Sequence, residues 1–200
     1  MAQLSGEPSA TPSTELLTRI KRLLDIDRAL EVSPRSRKPE ATKNYAFFRG
    51  SSPGKGSEVQ FSSYEAFAVL IGLQMLSHKW PQKFVVGTLR RLRPDLEKQH
   101  RRILSLDPAT LFDQNEIMRR ARPGDIGVSS TSPVFLLIWS DQKTAEDPAP
   151  TAEIFEDPRL AYRRVIEKAG RSSTWIELTR LAHLLADQLK RSPPRKRGRT

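Results

Sequence analysis

The sequence predicts an α+β class: mainly helical, with a winged helix-turn-helix-like module, a small antiparallel hairpin and C-terminal helices. Three observations carry that prediction. Apolar residues recur at helical spacing through residues 64–76 and again through 85–96. Two β-prone runs, Tyr45-Ala46-Phe47-Phe48-Arg49 and Glu58-Val59-Gln60-Phe61, flank a Gly/Ser/Pro-rich stretch that reads as a loop. The run Val134-Phe135-Leu136-Leu137-Ile138-Trp139 is apolar on both alternating faces, as a strand needing cover on both sides would be.

Length and charge narrow the function classes. Two hundred residues suffice for one moderate domain or one and a half. A formal charge of +11 and a pI of about 10.3 favour a polyanionic partner, because neutralised phosphates release their counterions. Nucleic acid is the first such partner and an anionic membrane surface the second. The absence of cysteine excludes disulfides and thiolate metal sites. No run approaches the roughly eighteen apolar residues of a membrane span. The first residues lack the basic start and apolar middle of a signal peptide. The expectation is a cytoplasmic, nucleoid-associated protein.

Residues 1–13 are small, polar and Pro-bearing, the composition of a disordered N-terminus. A module spanning 14–104 follows. It opens with a helical stripe of Leu16, Leu17, Ile20, Leu23, Leu24 and Ile26, alternating with Arg19, Lys21 and Arg22. Next, Arg35, Arg37, Lys38 and Lys43 surround Pro34 and Pro39, which is either a basic loop meeting phosphate or a solvated connector. Arg49 and Lys55 would sit on the wing, where Lys55 meets phosphate or simply caps an exposed turn. Ser62 and Glu65 form a Ser-x-x-Glu capping box, so a helix should start there. Its residues Tyr64, Phe67, Ala68, Leu70, Ile71, Leu73 and Met75 make it the central core helix. Pro81 suits the opening of another helix. Val85, Leu89, Leu92 and Leu96 form its buried stripe, and Arg90, Arg91 and Arg93 its positive face. Pro94 either kinks that helix or restarts it.

Beyond it, residues 105–140 read as a short helical segment through Leu111, Phe112, Ile117 and Met118, then a hairpin of strands at 125–129 and 134–140. Residues 141–157 concentrate Asp141, Glu146, Asp147, Glu153, Glu156 and Asp157 and read as an acidic linker. Residues 158–190 hold two C-terminal helices. Gly170 ends the first, and a second capping box, Thr174 with Glu177, opens the next, whose face carries Trp175, Leu178, Leu181, Leu185 and Leu189. Residues 191–200 form a basic disordered tail.

Catalytic constellations find no support in the residues. The Gly50 to Gly56 stretch resembles a phosphate-cradling loop but is one residue short between its glycines. It also has Gly56 where a magnesium-binding hydroxyl belongs, and a strand rather than a helix after it. His78, His100 and His183 have no partners at ligand spacing. Asp25 and Asp27, like Asp95 and Glu97, sit beside arginines and read as surface charge or helix-end residues. No enzyme, cofactor or metal is expected. Trp80, Phe84 and Trp175 either stack on bases or belong to the core.

The order of hairpin, Phe61-Ser62-Ser63-Tyr64-Glu65-Ala66-Phe67, apolar helix, turn and basic helix resembles the MerR-type winged-helix DNA-binding domains, with residues 61–92 carrying the likeness. The resemblance implies a dimeric transcriptional regulator on double-stranded DNA, with residues 125–189 in the slot for dimerisation or effector sensing. Together with the charge pattern it yields an expected interface of Arg35, Arg37, Lys38, Lys43, Arg49, Lys55, Arg90, Arg91 and Arg93. Those side chains would position the duplex without reading its sequence. Two other readings stay open. One is an adaptor protein that binds a partner through the 175–189 face and the 134–139 strand, its basic tail incidental. The other is an RNA-binding protein.

Overall fold

Helix α1 (Thr14–Ala29) begins where the Ser13 hydroxyl accepts from the Leu16 amide at 3.1 Å, satisfying one of the amides that a helix start leaves open. The computed structural model describes residues 12–30, 44–49, 60–122, 127–140, 150–168 and 173–191. Of the expected disordered start, residues 1–11 lie outside these residues while Ser13 is ordered as the cap of α1; the 33–43 and wing-tip stretches and the basic tail after Arg191 also lie outside them.

Helix α2 (Ser63–Ser77) opens with the anticipated capping box. The Ser62 hydroxyl accepts from the Glu65 amide at 3.3 Å, and the Glu65 carboxylate accepts from the Ser62 amide at 2.8 Å. Phe67, Ala68, Leu70, Ile71 and Met75 are fully enclosed, so α2 is the central helix of the core. Gly72 costs helix propensity, but a β-carbon there would meet the Leu23 and Leu89 methyls at 3.2 and 3.4 Å. It therefore lets α1 and α3 close on α2. Helix α3 (Gln82–Ser105) contains Pro94 within one element, so the chain does not restart a helix there.

After α3 come two short helices, α4 (Pro108–Leu111) and α5 (Gln114–Arg120), capped by Asp107 and Asp113. The sheet consists of β1 (Phe135–Ser140), β2 (Pro150–Phe155) and β3 (Ser173–Glu177) in the order β2-β1-β3, antiparallel throughout. Helix α6 (Pro158–Lys168) lies between β2 and β3 in sequence, and α7 (Leu178–Arg191) ends the described chain. The class is thus α+β, mainly helical with a small antiparallel sheet, as expected.

The all-apolar strand receives its two covers. Leu136 and Ile138 face the main core with α1, α2, α3 and α7, whereas Leu137 and Trp139 join Ala161 and Val165 of α6 on the other side. No described helix is long and apolar enough to cross a membrane.

Several expected elements are corrected. Residues 45–49 are not the first strand of a hairpin: they form an irregular buried segment, with Ala46 and Phe47 fully enclosed, and residues 60–61 are not strand either. Side chains, not a neighbouring strand, satisfy this backbone. The Ala46 and Phe47 amides donate to the Asp27 carboxylate at 3.1 and 2.9 Å. Residues 127–129 are not the partner of β1 either; its partners are β2 and β3. The first of these hides in the expected acidic linker, because an edge strand needs few apolar residues: only Ala152 and Ile154 reach the main core. The second replaces the expected capping box. Thr174 and Glu177 pair with Ile138 and Phe135, and the Glu177 carboxylate accepts from the Ser129 amide and from the Ser129 and Ser130 hydroxyls.

The turn between α2 and α3 has one strained residue. Lys79 holds φ at 69°, while its amide reaches the Leu76 carbonyl and the Trp80 amide reaches Met75, the paired bonds of a Schellman cap. A side chain disfavours that φ, and glycine does not. Lys79→Gly is expected to stabilise the fold by up to about 1 kcal/mol, the left-handed penalty less the extra freedom glycine gains when unfolded. Urea denaturation of the two proteins checks it; an unchanged or lower midpoint contradicts the strain.

Candidate nucleic-acid interface

The arginines of α3 do not form an outward face. Arg90 lies at an edge of the apolar stripe and is 2% exposed. Its Nε donates to Asp27 at 2.6 Å and its Nη2 to the carbonyls of Asp27 and, at 2.8 Å, Leu30. Arg93 is buried as well. It donates to the Tyr45 carbonyl at 2.6 Å and the Phe48 carbonyl at 2.5 Å, with Glu97 at 2.8 Å and Glu65 at 3.7 Å. Arg91 turns the other way and donates to the Ala152 carbonyl of β2 at 3.0 Å. Arg90 and Arg93 are therefore corrected from phosphate anchors to internal fasteners, since they are buried and their donors meet protein oxygens, whereas Arg91 is half-buried with one donor on β2. Arg49 is exposed. Arg35, Arg37, Lys38, Lys43 and Lys55 lie outside the described residues.

A readable signal for this pairing was present. Asp27 stands three and four residues beyond Leu24 and Leu23 on the apolar stripe of α1, so it is an acid on a buried face, not surface charge. An arginine at the edge of the facing stripe is its natural counterion. Of the expected adaptor surface, the 134–139 strand is central to the sheet and Leu178 and Leu185 of α7 are in the core, whereas Leu189 is exposed. Trp80 and Phe84 pack on that core, with the Trp80 indole donating to Thr174 at 3.1 Å, and Trp175 meets Phe135 edge-on.

Basic side chains converge elsewhere. An open groove of about 690 Å³ runs between the end of α3, α5, the 127–133 segment and the start of α6. Arg102, Arg120, Arg159 and Arg163 line it, together with Met118 and Tyr162. Two acids, Glu156 and Asp157, line it as well, and the acids here bond largely to the groove's own residues. Glu156 accepts from Gln99 at 2.6 Å and pairs with Arg102 at 3.3 Å. Asp157 caps α6 by accepting from the Arg159 amide at 2.8 Å. On α5, Glu116 accepts from Arg119 and Arg120, and those bonds pull its carboxyl down to about 2. One wall is well anchored: Thr179 donates to the Ser132 carbonyl at 3.0 Å, and the Thr131 amide to Leu111 at 2.9 Å. Arg159, Tyr162 and Arg163 were not among the expected site residues, although two arginines four apart beside a tyrosine on one helix were visible in the sequence.

No family model, curated protein or solved structure matches the chain. Of the features behind the MerR resemblance, the Ser62–Glu65 box and the apolar helix are present, whereas residues 45–49 and 60–61 form no strand.

Two expectations follow from the buried polar groups. Asp27→Ala strands the Arg90 guanidinium and two backbone amides, and should cost about 3–5 kcal/mol of stability in chemical denaturation; a loss under about 1 kcal/mol would mean that the pair is effectively solvated. His100 is buried against Phe67 and Tyr64, and burial lowers its pKa from the ordinary 6.5. The fold therefore favours the neutral ring, and the unfolded chain takes up the proton first as the solution is acidified. Stability should fall as pH drops through and below 6.5, and His100→Phe should flatten that part of the profile of urea midpoints against pH.

Proposed function

We propose that the protein is a non-catalytic, nucleic-acid-binding regulator that grips the phosphate backbone through the arginine-lined groove. One observation carries the reading: four arginines from α3, α5 and α6 line a single open concavity against two lining acids, Glu156 and Asp157, and the partners of Arg102 and Arg120, Glu156 and Glu116, hold those two guanidinium groups in place at it. Guanidinium forks match phosphate oxygens in bidentate geometry, and a chain with a formal charge of +11 gains sequence-independent affinity from counterion release. The surface differs from the one expected on α3, but the partner chemistry is the same. The MerR resemblance adds the regulatory role, DNA as the target, a homodimer and a place at the nucleoid in the cytoplasm.

Fluorescence anisotropy with labelled DNA, single-stranded and duplex, across a salt series tests this. Affinity should fall steeply with salt. Arg159→Glu with Arg163→Glu should lower the slope of log affinity against log salt by about one unit for each phosphate that is no longer neutralised. A flat salt dependence, or a variant that binds like the parent, overturns the assignment.

A further inference from the structure

The groove has more than charge. Met118 is 72% and Tyr162 52% exposed, and both line the concavity together with the four arginines, Glu156 and Asp157. Single exposed apolar residues are ordinary on any protein. A tyrosine and a methionine lining one arginine-lined groove are a different matter. Helix α6 buries Ala161 and Val165 against the far face of the sheet, so Tyr162, one position round the helix, stands clear of that packing. Val128 and Pro133 continue the apolar lining.

A duplex cannot use such a lining. Its bases are stacked inside, and what it offers is a groove of its own that admits a protruding helix or ribbon; a concavity meets only its phosphates. An unpaired strand fits both parts at once, with phosphates on the guanidinium groups and splayed bases on the aromatic and thioether surface. We propose that the groove binds an unpaired nucleic-acid strand, with Tyr162 as the platform for a base and Met118 as its second apolar neighbour. This rests on the nucleic-acid reading above and specifies the form of the partner.

The test uses the full chain and labelled oligonucleotides of about 12 nucleotides, the scale of one such site, as DNA and RNA single strands and as a duplex of the same sequence. Both single strands should bind more tightly than the duplex at equal salt. Tyr162→Ala should weaken single-strand binding roughly ten-fold, the size of one base-aromatic stack, with the salt slope unchanged. Tyr162→Phe should retain the parent affinity. Duplex binding equal to or tighter than single-strand binding, or a Tyr162→Ala variant that binds single strands like the parent, overturns the proposal. If the Arg159→Glu and Arg163→Glu changes still weaken binding in that case, the phosphate-gripping function survives without it. Binding to poly-glutamate with no binding to any oligonucleotide sinks both and gives the groove to an acidic protein partner. Because Tyr162 is exposed, an unchanged thermal midpoint for Tyr162→Ala shows that the variant is folded and the comparison valid.

Discussion

Asp27 connects three parts of the chain that no backbone ladder connects. Its carboxylate receives two amides from the irregular 44–49 segment and the Arg90 side chain from α3, all in the dry interior beside α1. Arg90 then closes the end of α1 through the Asp27 and Leu30 carbonyls, and Arg93 one turn on takes the carbonyls of Tyr45 and Phe48. Buried charge is tolerable only when its donors and acceptors are matched, and here backbone and side chain match one another. The Phe47 ring is enclosed, and the helices are held at their present spacing, only if that set is complete. The same constraint removes Arg90 and Arg93 from any conversation with solvent.

The sheet half follows a different logic. Central strand β1 is apolar on both faces, so one face closes the helical core and the other recruits α6. Holding α6 there places its first turn opposite α5 and the end of α3, and that opposition makes the groove. The two arginines that α6 brings to the groove, Arg159 and Arg163, are thus set by the packing of Leu137 and Trp139 beneath that helix, residues that do not line it. The hydrogen bonds from Ser129 and Ser130 to Glu177 and from Thr179 to Ser132 hold one wall of the groove against the sheet and α7, which favours a preorganised binding surface.

Long periodic elements were legible and short, mixed ones were not. The apolar spacing of α2, the Ser62 to Glu65 box and the two-faced apolar run of β1 announced themselves, because each depends on local chemistry alone. Strand β2 was hidden because an edge strand with Ala152 and Ile154 as its inward residues carries almost no periodic signal. Strand β3 was masked by a Thr-x-x-Glu pattern whose carboxylate serves a loop from a distant part of the chain. The arginine cluster misled for a similar reason: charge counted along the sequence says nothing of direction. Only Asp27 on the opposite apolar stripe reveals that Arg90 points inward. The groove was invisible because its members come from residues 102, 120, 159 and 163, and only the tertiary fold brings them together.

The position of β1 between its neighbours bears on how the molecule is made. Its hydrogen-bonding edges are completed by β2, from the next stretch of chain, and by β3, which follows more than thirty residues later with α7 directly attached. During synthesis the most apolar strand therefore leaves the ribosome well before one of its flanks exists. A nascent chain halted ahead of residue 173 would display an unpaired, uncharged β-edge, the template on which aggregates grow. The acidic residues that follow β1 in sequence are suitably placed to act as gatekeepers during that interval, keeping neighbouring nascent chains apart by like-charge repulsion until the last strand arrives.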